Sequence, residues 1–262
     1  MISFQKENPL VEKIKSVLFT INNRLDNNNN PDIDTNGESF FLNGFLNSFD
    51  DKVTVFDVGA NIGHYSEIIS ERCCERNLKY DLRLFEPTAS CFDELRRKFA
   101  GHNGISLNNF GVSDSEKKTV IYYDTQKSGF ASLYQRNLSH ENINMNKSEE
   151  IIIRRLDSYI EETGIRHIDL LKIDIEGHEL FAFKGLGKFL NSTFITAIQF
   201  EYGGANLDSH TSLKDIYSLL EPAGFEIYKI MRSGLLKRKY SGRMENFQYA
   251  NFIALSGGFR KK

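Results

Sequence analysis

Apolar residues along the chain change their spacing several times, and each change predicts an element. From Pro9 to Ile21 the residues Leu10, Val11, Ile14, Val17, Leu18 and Ile21 recur at helical spacing. Asn8-Pro9 supplies a cap and a first-turn proline, and the asparagine run 27–30 with Pro31 ends the helix. The aromatic-rich segment Phe40 to Phe49 predicts a second helix, and the two form an N-terminal helical appendage over residues 1–50. Val53–Val58 then reads as a short buried strand that stops at a glycine. A helix from Gly63 to Arg72, a strand Asp81–Phe85, a helix Thr88 to Phe99 and a strand Ile105–Val112 follow. Lys118–Tyr123 and Glu150–Arg155 alternate as extra, paired strands around a polar stretch, Asp124 to Glu149, long enough for a functional loop.

Regular alternation resumes with a strand Ile168–Ile173, a helix Glu179–Leu190 and a strand Phe194–Phe200. A helix capped by Thr211 or Ser212 runs to near Gly224, and two strands, Phe225–Arg232 and Phe247–Leu255, close the chain around a basic turn. This order predicts an α/β fold: a doubly wound, mostly parallel sheet with a C-terminal antiparallel hairpin, forming one domain over residues 51–262.

Composition changes the picture only by exclusion. Lys and Arg total 33 against 35 Asp and Glu, a net charge of −2, so no nucleic-acid partner is expected. The basic patch Lys237-Arg238-Lys239 reads as a solvated turn. Three cysteines at irregular spacing describe neither a disulfide framework nor a zinc cluster. No apolar run reaches the roughly 18 residues of a bilayer span, and no secretory-signal layout is present, so the expected location is cytoplasmic.

Ligands of such sheets bind at the carboxyl ends of the strands. The turn after the first strand offers Asp57, Gly59, Asn61 and Gly63. The dinucleotide fingerprint is not met, because its second and third glycine positions hold Asn61 and His64. An acidic Asp57 ahead of the turn would repel phosphates but suits a cation, such as the ammonium and sulfonium of S-adenosyl-L-methionine. Glu86, at the end of the second strand, is placed for ribose hydroxyls, and Ser113-Asp114 for an adenine edge.

The densest polar run is 171–179, holding Asp174, Glu176, His178 and Glu179, with Glu201 ending the next strand. Methyl transfer to a hydroxyl calls for an in-line acceptor and a base. Asp174, His178 and Glu201 are the candidate bases, and Glu176 a candidate for orienting the acceptor. Plainer readings stand beside these: Glu176 and Glu179 as acidic residues of a helix start, His178 as a hydrogen-bonded structural residue. Asp174 with Glu201 also offers oxygen ligands to a divalent ion, but no residue is assigned as a metal ligand and metal dependence stays open.

The blocks Asp57–Tyr65 (DVGANIGHY), Phe85-Glu86-Pro87, Leu156-Asp157-Ser158-Tyr159 and Lys172–Glu179 (KIDIEGHE) together resemble the FkbM family of methyltransferases, over roughly Val53 to Gly224. The resemblance implies a seven-stranded Rossmann-like methyltransferase sheet and S-adenosylmethionine-dependent O-methylation of sugars, glycans or polyketide-type products. It implies cofactor contacts at Asp57, Gly59, Asn61, Gly63 and Glu86, with Asp174 at the active centre. The acceptor expected first is the hydroxyl of a sugar or glycan; N-methylation and lipid or polyketide acceptors stay open. From other classes, a nicotinamide-dependent oxidoreductase and a non-catalytic interaction fold remain as rivals.

Overall fold

Four buried apolar runs form the middle of the sheet: β1 (Lys52–Val58), β2 (Lys79–Phe85), β7 (Ile168–Ile173) and β8 (Ile195–Tyr202). All four run parallel, and their inner residues are excluded from water on both faces. The structure, a computed structural model, describes residues 7–259. Beyond the central four lie β3 (Ile105–Asn108), β9 (Phe225–Met231), β10 (Gly234–Lys237) and β11 (Ala250–Ser256), giving the order β10-β9-β11-β8-β7-β1-β2-β3. The chain leaves β1 toward β2 and β3, then crosses back to β7 on the other side. The switch in strand order therefore falls between β1 and β7, where a ligand crevice opens.

Among the described residues the sheet carries eight strands where the resemblance implies seven, because β10 adds to the outer side of β9. The terminal hairpin is present as β9 and β11, with β11 inserted between β9 and β8 and antiparallel to both. The expected strand Ile105–Val112 divides. Asn108 and Asn109 turn their side-chain amides onto the carbonyls of Leu84 (3.1 Å) and Glu86 (2.9 Å), and the ladder stops there. The residues beyond, β4 (Gly111–Val112), enter a separate three-stranded sheet with β5 (Lys117–Tyr123) and β6 (Lys147–Arg154), whose pairing is the one expected.

Helices cover both faces. α3 (His64–Glu75) and α4 (Ala89–Lys98) connect the first strands, α5 (Leu156–Thr163) precedes β7, and α6 (Glu179–Lys184) follows it. α6 stops at Lys184, short of Leu190, and Gly185 after it packs so close to the Ser113 carbonyl that a Cβ would overlap it. After β8 come α7 (Ala205–Asp208) and α8 (Leu213–Leu220); Ser212 caps α8 through a reciprocal bond pair with Asp215.

The two N-terminal helices differ in kind. α2 (Glu38–Leu46) buries Phe41, Leu42, Phe45 and Leu46 in the core that backs β1 and α3. α1 (Pro9–Leu25) buries only Asn23. The asparagine run fastens the segment between them to the body: Asn27 Nδ2 donates to the Ile230 carbonyl (3.1 Å) and Asn29 Nδ2 to Gln248 (2.7 Å). Among the described residues no helix is long and apolar enough to cross a membrane. The cysteines are free thiols, with Cys73 and Cys91 buried and Cys74 exposed.

This division has a measurable consequence. Phe45→Ala is expected to lower the unfolding free energy by about 3–5 kcal/mol in urea titrations, while Ile14→Ser changes it by less than ~0.5 kcal/mol. Equal effects would show that α2 is not part of the core.

Candidate active site

The first wall is the turn after β1. The Gly59 and Ala60 amides both donate to the Phe85 carbonyl (3.0 and 3.1 Å), so the turn is hung from the end of β2. Gly59 has φ +82°, and a Cβ there would overlap the Asp174 carbonyl, so glycine lets the β1 and β7 ends meet. Asn61 takes φ +48°, and its amide N–H donates to Glu86 Oε2 at 2.9 Å. Glu86 Oε1 accepts from the Thr88 amide (2.8 Å) and hydroxyl (2.6 Å), which fixes the carboxylate at the cavity wall; burial raises its pKa. Gly63 lies outside the wall, where a Cβ would press on Leu95 and Phe99.

Asp57 does not face the cavity. It is 1 % exposed, with Oδ2 accepting from Ser66 Oγ (2.7 Å) and Oδ1 lying 3.8 Å from Lys172 Nζ. Register explains this: Asp57, Lys172 and Gln199 are partners across β1, β7 and β8, and all three point to the face covered by α2 and α3. Lys172 Nζ lies 3.0 Å from Asp174 Oδ2 and 5.0 Å from the Tyr65 ring centre, so one buried ammonium bridges both strand ends. Asp57, Asp174 and Glu38 raise the Lys172 pKa against the cost of burial. Gln199 extends the polar row, accepting from Tyr65 Oη (2.7 Å) and donating to Glu38.

The second wall is the turn after β7. Glu179, buried at the start of α6, accepts from the Ile175 and Gly177 amides (both 3.1 Å) and so shapes the loop; burial lifts its pKa to about 7. Asp174, Glu176 and Glu201 all line the cavity. Glu201 is within hydrogen-bonding reach of Asp174, and burial with the charges of Asp174, Glu176 and Glu179 holds its carboxyl protonated well above the usual range. Glu176 accepts from Arg136 Nη1 at 2.6 Å; burial and Asp174 outweigh that pairing and push its pKa up to about 8. His178 has both ring nitrogens engaged, Nε2 with Ser113 Oγ (2.9 Å) and Nδ1 with Tyr134 Oη (2.8 Å). Burial lowers its pKa to about 4, so the ring is neutral. Gly111 and Val112 line the cavity, whereas Ser113 and Asp114 stand behind it, the Ser113 hydroxyl occupied by His178.

Between the walls lies a cavity of about 970 Å³, at the upper end of small-molecule sites. Arg136, Tyr249 and Asn29 also line it and carry no local sequence signal. Arg136 reaches across from the polar loop and binds Asp208 as well as Glu176 (3.1 and 2.6 Å). Tyr249 and Asn29 close the far edge, their backbones joined by Asn29 N to Tyr249 O at 2.8 Å. The segment Ser128 to Leu133 forms the roof, held by Asn61 Nδ2 to Ser128 O (3.1 Å) and Ser132 Oγ to Glu176 O (2.9 Å). Among the described residues no group of three or more His, Cys, Asp or Glu side chains is placed to hold a metal ion.

A doubly wound sheet with a glycine turn at its switch point, an acidic second-strand end and a carboxylate cluster after β7 is the frame of a Rossmann-like methyltransferase. The "Methyltransferase FkbM domain" profile matches residues 57–227, and the chain belongs to the FkbM methyltransferase family. It is 28 % identical over 221 residues to the AMB antimetabolite synthetase AmbE of Pseudomonas aeruginosa, covering 70 % of this chain and 10 % of AmbE. It is 25 % identical over 207 residues to the hexuronic acid methyltransferase AglP of Haloferax volcanii, covering 76 % of this chain and 75 % of AglP. Among solved structures, the methyltransferase FkbM of Methylobacillus flagellatus KT matches with a TM-score of 0.46 at 16 % identity, over 79 % of this chain and 44 % of that one. The chain thus spans only a tenth of AmbE's length and less than half of the M. flagellatus chain.

The neutral His178 gives a pH test. Its folded pKa of about 4 lies below the ordinary 6.5, so the folded state binds fewer protons between those values. Its contribution, about 3 kcal/mol, is full above pH 6.5 and is lost as pH falls toward 4. Urea titrations of wild type and His178→Gln are therefore expected to diverge by that order across the window. Parallel curves would show that His178 is not held neutral.

Proposed function

We propose that this chain is an S-adenosylmethionine-dependent O-methyltransferase acting on a hydroxyl group, with a sugar or glycan as the favoured acceptor. The observation that carries the reading is the row of carboxyl groups along the cavity wall, which a bound cation would draw into their ionised form. Glu86, Asp174, Glu176 and Glu201 face the space, while Arg136, the cation beside them, is taken up by Glu176 and Asp208. Such a wall suits a ligand bearing an ammonium and a sulfonium and opposes the pyrophosphate of a nicotinamide dinucleotide. S-adenosylmethionine supplies, when bound, a methyl group on a positively charged sulfur.

The residues divide the work. Glu86, with the Asn61 amide at its side, takes the ribose hydroxyls, and Gly59 and Asn61 shape the turn against which the cofactor lies. Asp57 and Gly63 support that turn from behind: Asp57 through Ser66 and Lys172, Gly63 by allowing α3 to pack on Leu95 and Phe99. Ser113 and Asp114 contribute on the adenine side through the position of Gly111 and Val112 and of His178. Asp174 is placed to accept the proton of the acceptor hydroxyl, whose oxygen would take the methyl as the methyl's bond to the donor sulfur breaks and S-adenosylhomocysteine leaves. Glu201 keeps its own proton to donate a hydrogen bond that fixes the pair. Glu176 and Arg136 orient the acceptor. Neither Asp174 nor Glu201 needs a divalent ion for these roles, and assay with and without chelator decides whether one assists.

The sugar acceptor draws support from the likeness to AglP, a hexuronic acid methyltransferase by name. With Arg136 doubly paired, a neutral sugar fits this wall better than an acidic one. Ile121, Ile151, Ile153 and Leu133 also line the cavity and favour, as a second reading, an acceptor with an apolar part such as a polyketide or lipid.

Labelled S-adenosylmethionine with a panel of neutral sugars, uronic acids and apolar alcohols tests the proposal. Asp174→Asn is expected to lower kcat by roughly 10²–10⁴-fold while S-adenosylhomocysteine still binds. Unchanged turnover in that variant would remove Asp174 as the base.

A further inference from the structure

α1 is built as an amphipathic helix and packed as if its apolar side had another destination. Leu10, Val11, Ile14, Val17, Leu18, Ile21 and Leu25 are each 44–72 % exposed. At 3.6 residues per turn these seven fall in one sector of about 120°. Asn23, the buried residue of the helix, lies opposite that sector and meets the body through Asn28 (3.1 Å) and Gln248 (3.4 Å). The helix is thus attached at one end by Asn23 and turns its apolar stripe outward, while Phe19, 55 % exposed, stands on the opposite side.

The charges say what kind of surface would cover the stripe. Lys13 and Arg24 border the sector on one edge; Lys15 borders the other and is paired with Glu12, the acidic residue of the helix, on its far side (2.6 Å). Pairing with the same helix of a second copy would bring cationic borders together, and the one acidic residue of the helix, Glu12, is already taken by its own Lys15, which leaves Lys13 and Arg24 unanswered at the seam. An anionic lipid surface answers both features at once. The apolar sector enters the acyl boundary, and the bordering lysines and arginine reach the headgroups. With 17 residues the helix is about 25 Å long, shorter than the ~30 Å hydrocarbon core, so it lies in the interface and does not span it.

We propose that Pro9–Leu25 is an in-plane anchor that seats this protein on anionic membrane surfaces. The anchor is separate from the cavity, and nothing in it depends on the reaction assigned above.

Co-sedimentation of the full chain with vesicles of phosphatidylcholine alone, or with 30 % phosphatidylglycerol, is the test. Binding is expected to the anionic vesicles, at least about tenfold stronger than to neutral ones, and to weaken as salt rises. Ile14→Asp/Leu18→Asp and, separately, Lys13→Glu/Lys15→Glu/Arg24→Glu are each expected to reduce it about tenfold or more, with unfolding midpoint and cofactor binding unchanged. Failure of the wild-type chain to sediment with anionic vesicles at low salt would overturn the proposal. So would a dimer in light scattering that Ile14→Asp/Leu18→Asp converts to monomer while vesicle binding is absent. Equal binding to both vesicle types would overturn the role given to the bordering cations.

Discussion

The ammonium of Lys172 stands between two carboxylates that belong to different strands, 3.8 Å from Asp57 and 3.0 Å from Asp174. It is almost wholly buried, as is Asp57, so each charge is tolerable only because the others are there. The arrangement sits at the switch point of the sheet. Asp57 lies one residue from the end of the strand that feeds one wall of the cavity, and Asp174 begins the loop that forms the other. Gly59 completes the junction, since any side chain there would meet the Asp174 carbonyl. The two walls are consequently set relative to each other by one cation and one missing Cβ. Removing Lys172 would leave buried negative charge beneath both.

That constraint explains the division of carboxylates around the site. Those on the α2 and α3 face of the sheet, Asp57 and Glu38, are spent inside the protein on Lys172, Ser66, Asn36 and Gln199. Those on the loop side, Asp174, Glu176 and Glu201, together with Glu86, open onto the cavity. Burial and mutual repulsion raise Glu176 and Glu201, so the wall resists full ionisation until a cation enters. A positively charged cofactor would relieve that repulsion, and a phosphate-bearing one would meet it.

Much of this is legible in the amino-acid sequence. Val53–Val58 and Ile168–Ile173 are short apolar runs that stop at polar turns, and a strand buried on both faces leaves no simpler pattern. Glu86 and Asp174 were found because each directly follows such a run. The direction of Asp57 was not readable, since it depends on the register that puts Lys172 beside it. Arg136, Tyr249 and Asn29 come from segments remote in sequence and meet the cavity only through tertiary packing. Asn108 and Asn109 ended a strand by side-chain bonds to neighbouring carbonyls, a competition that apolar periodicity does not register. β10 was hidden in a basic turn, and α2 was set apart from a core it belongs to because its partners lie beyond residue 50.

The central claim is that this acidic cavity holds a cationic methyl donor and not a dinucleotide. Isothermal titration of the full chain with S-adenosylmethionine, S-adenosylhomocysteine and NAD addresses it directly. The account predicts one-to-one binding of the first two, no heat from NAD, and a marked loss of affinity for both in Glu86→Gln. Binding of NAD with no response to S-adenosylmethionine would contradict it.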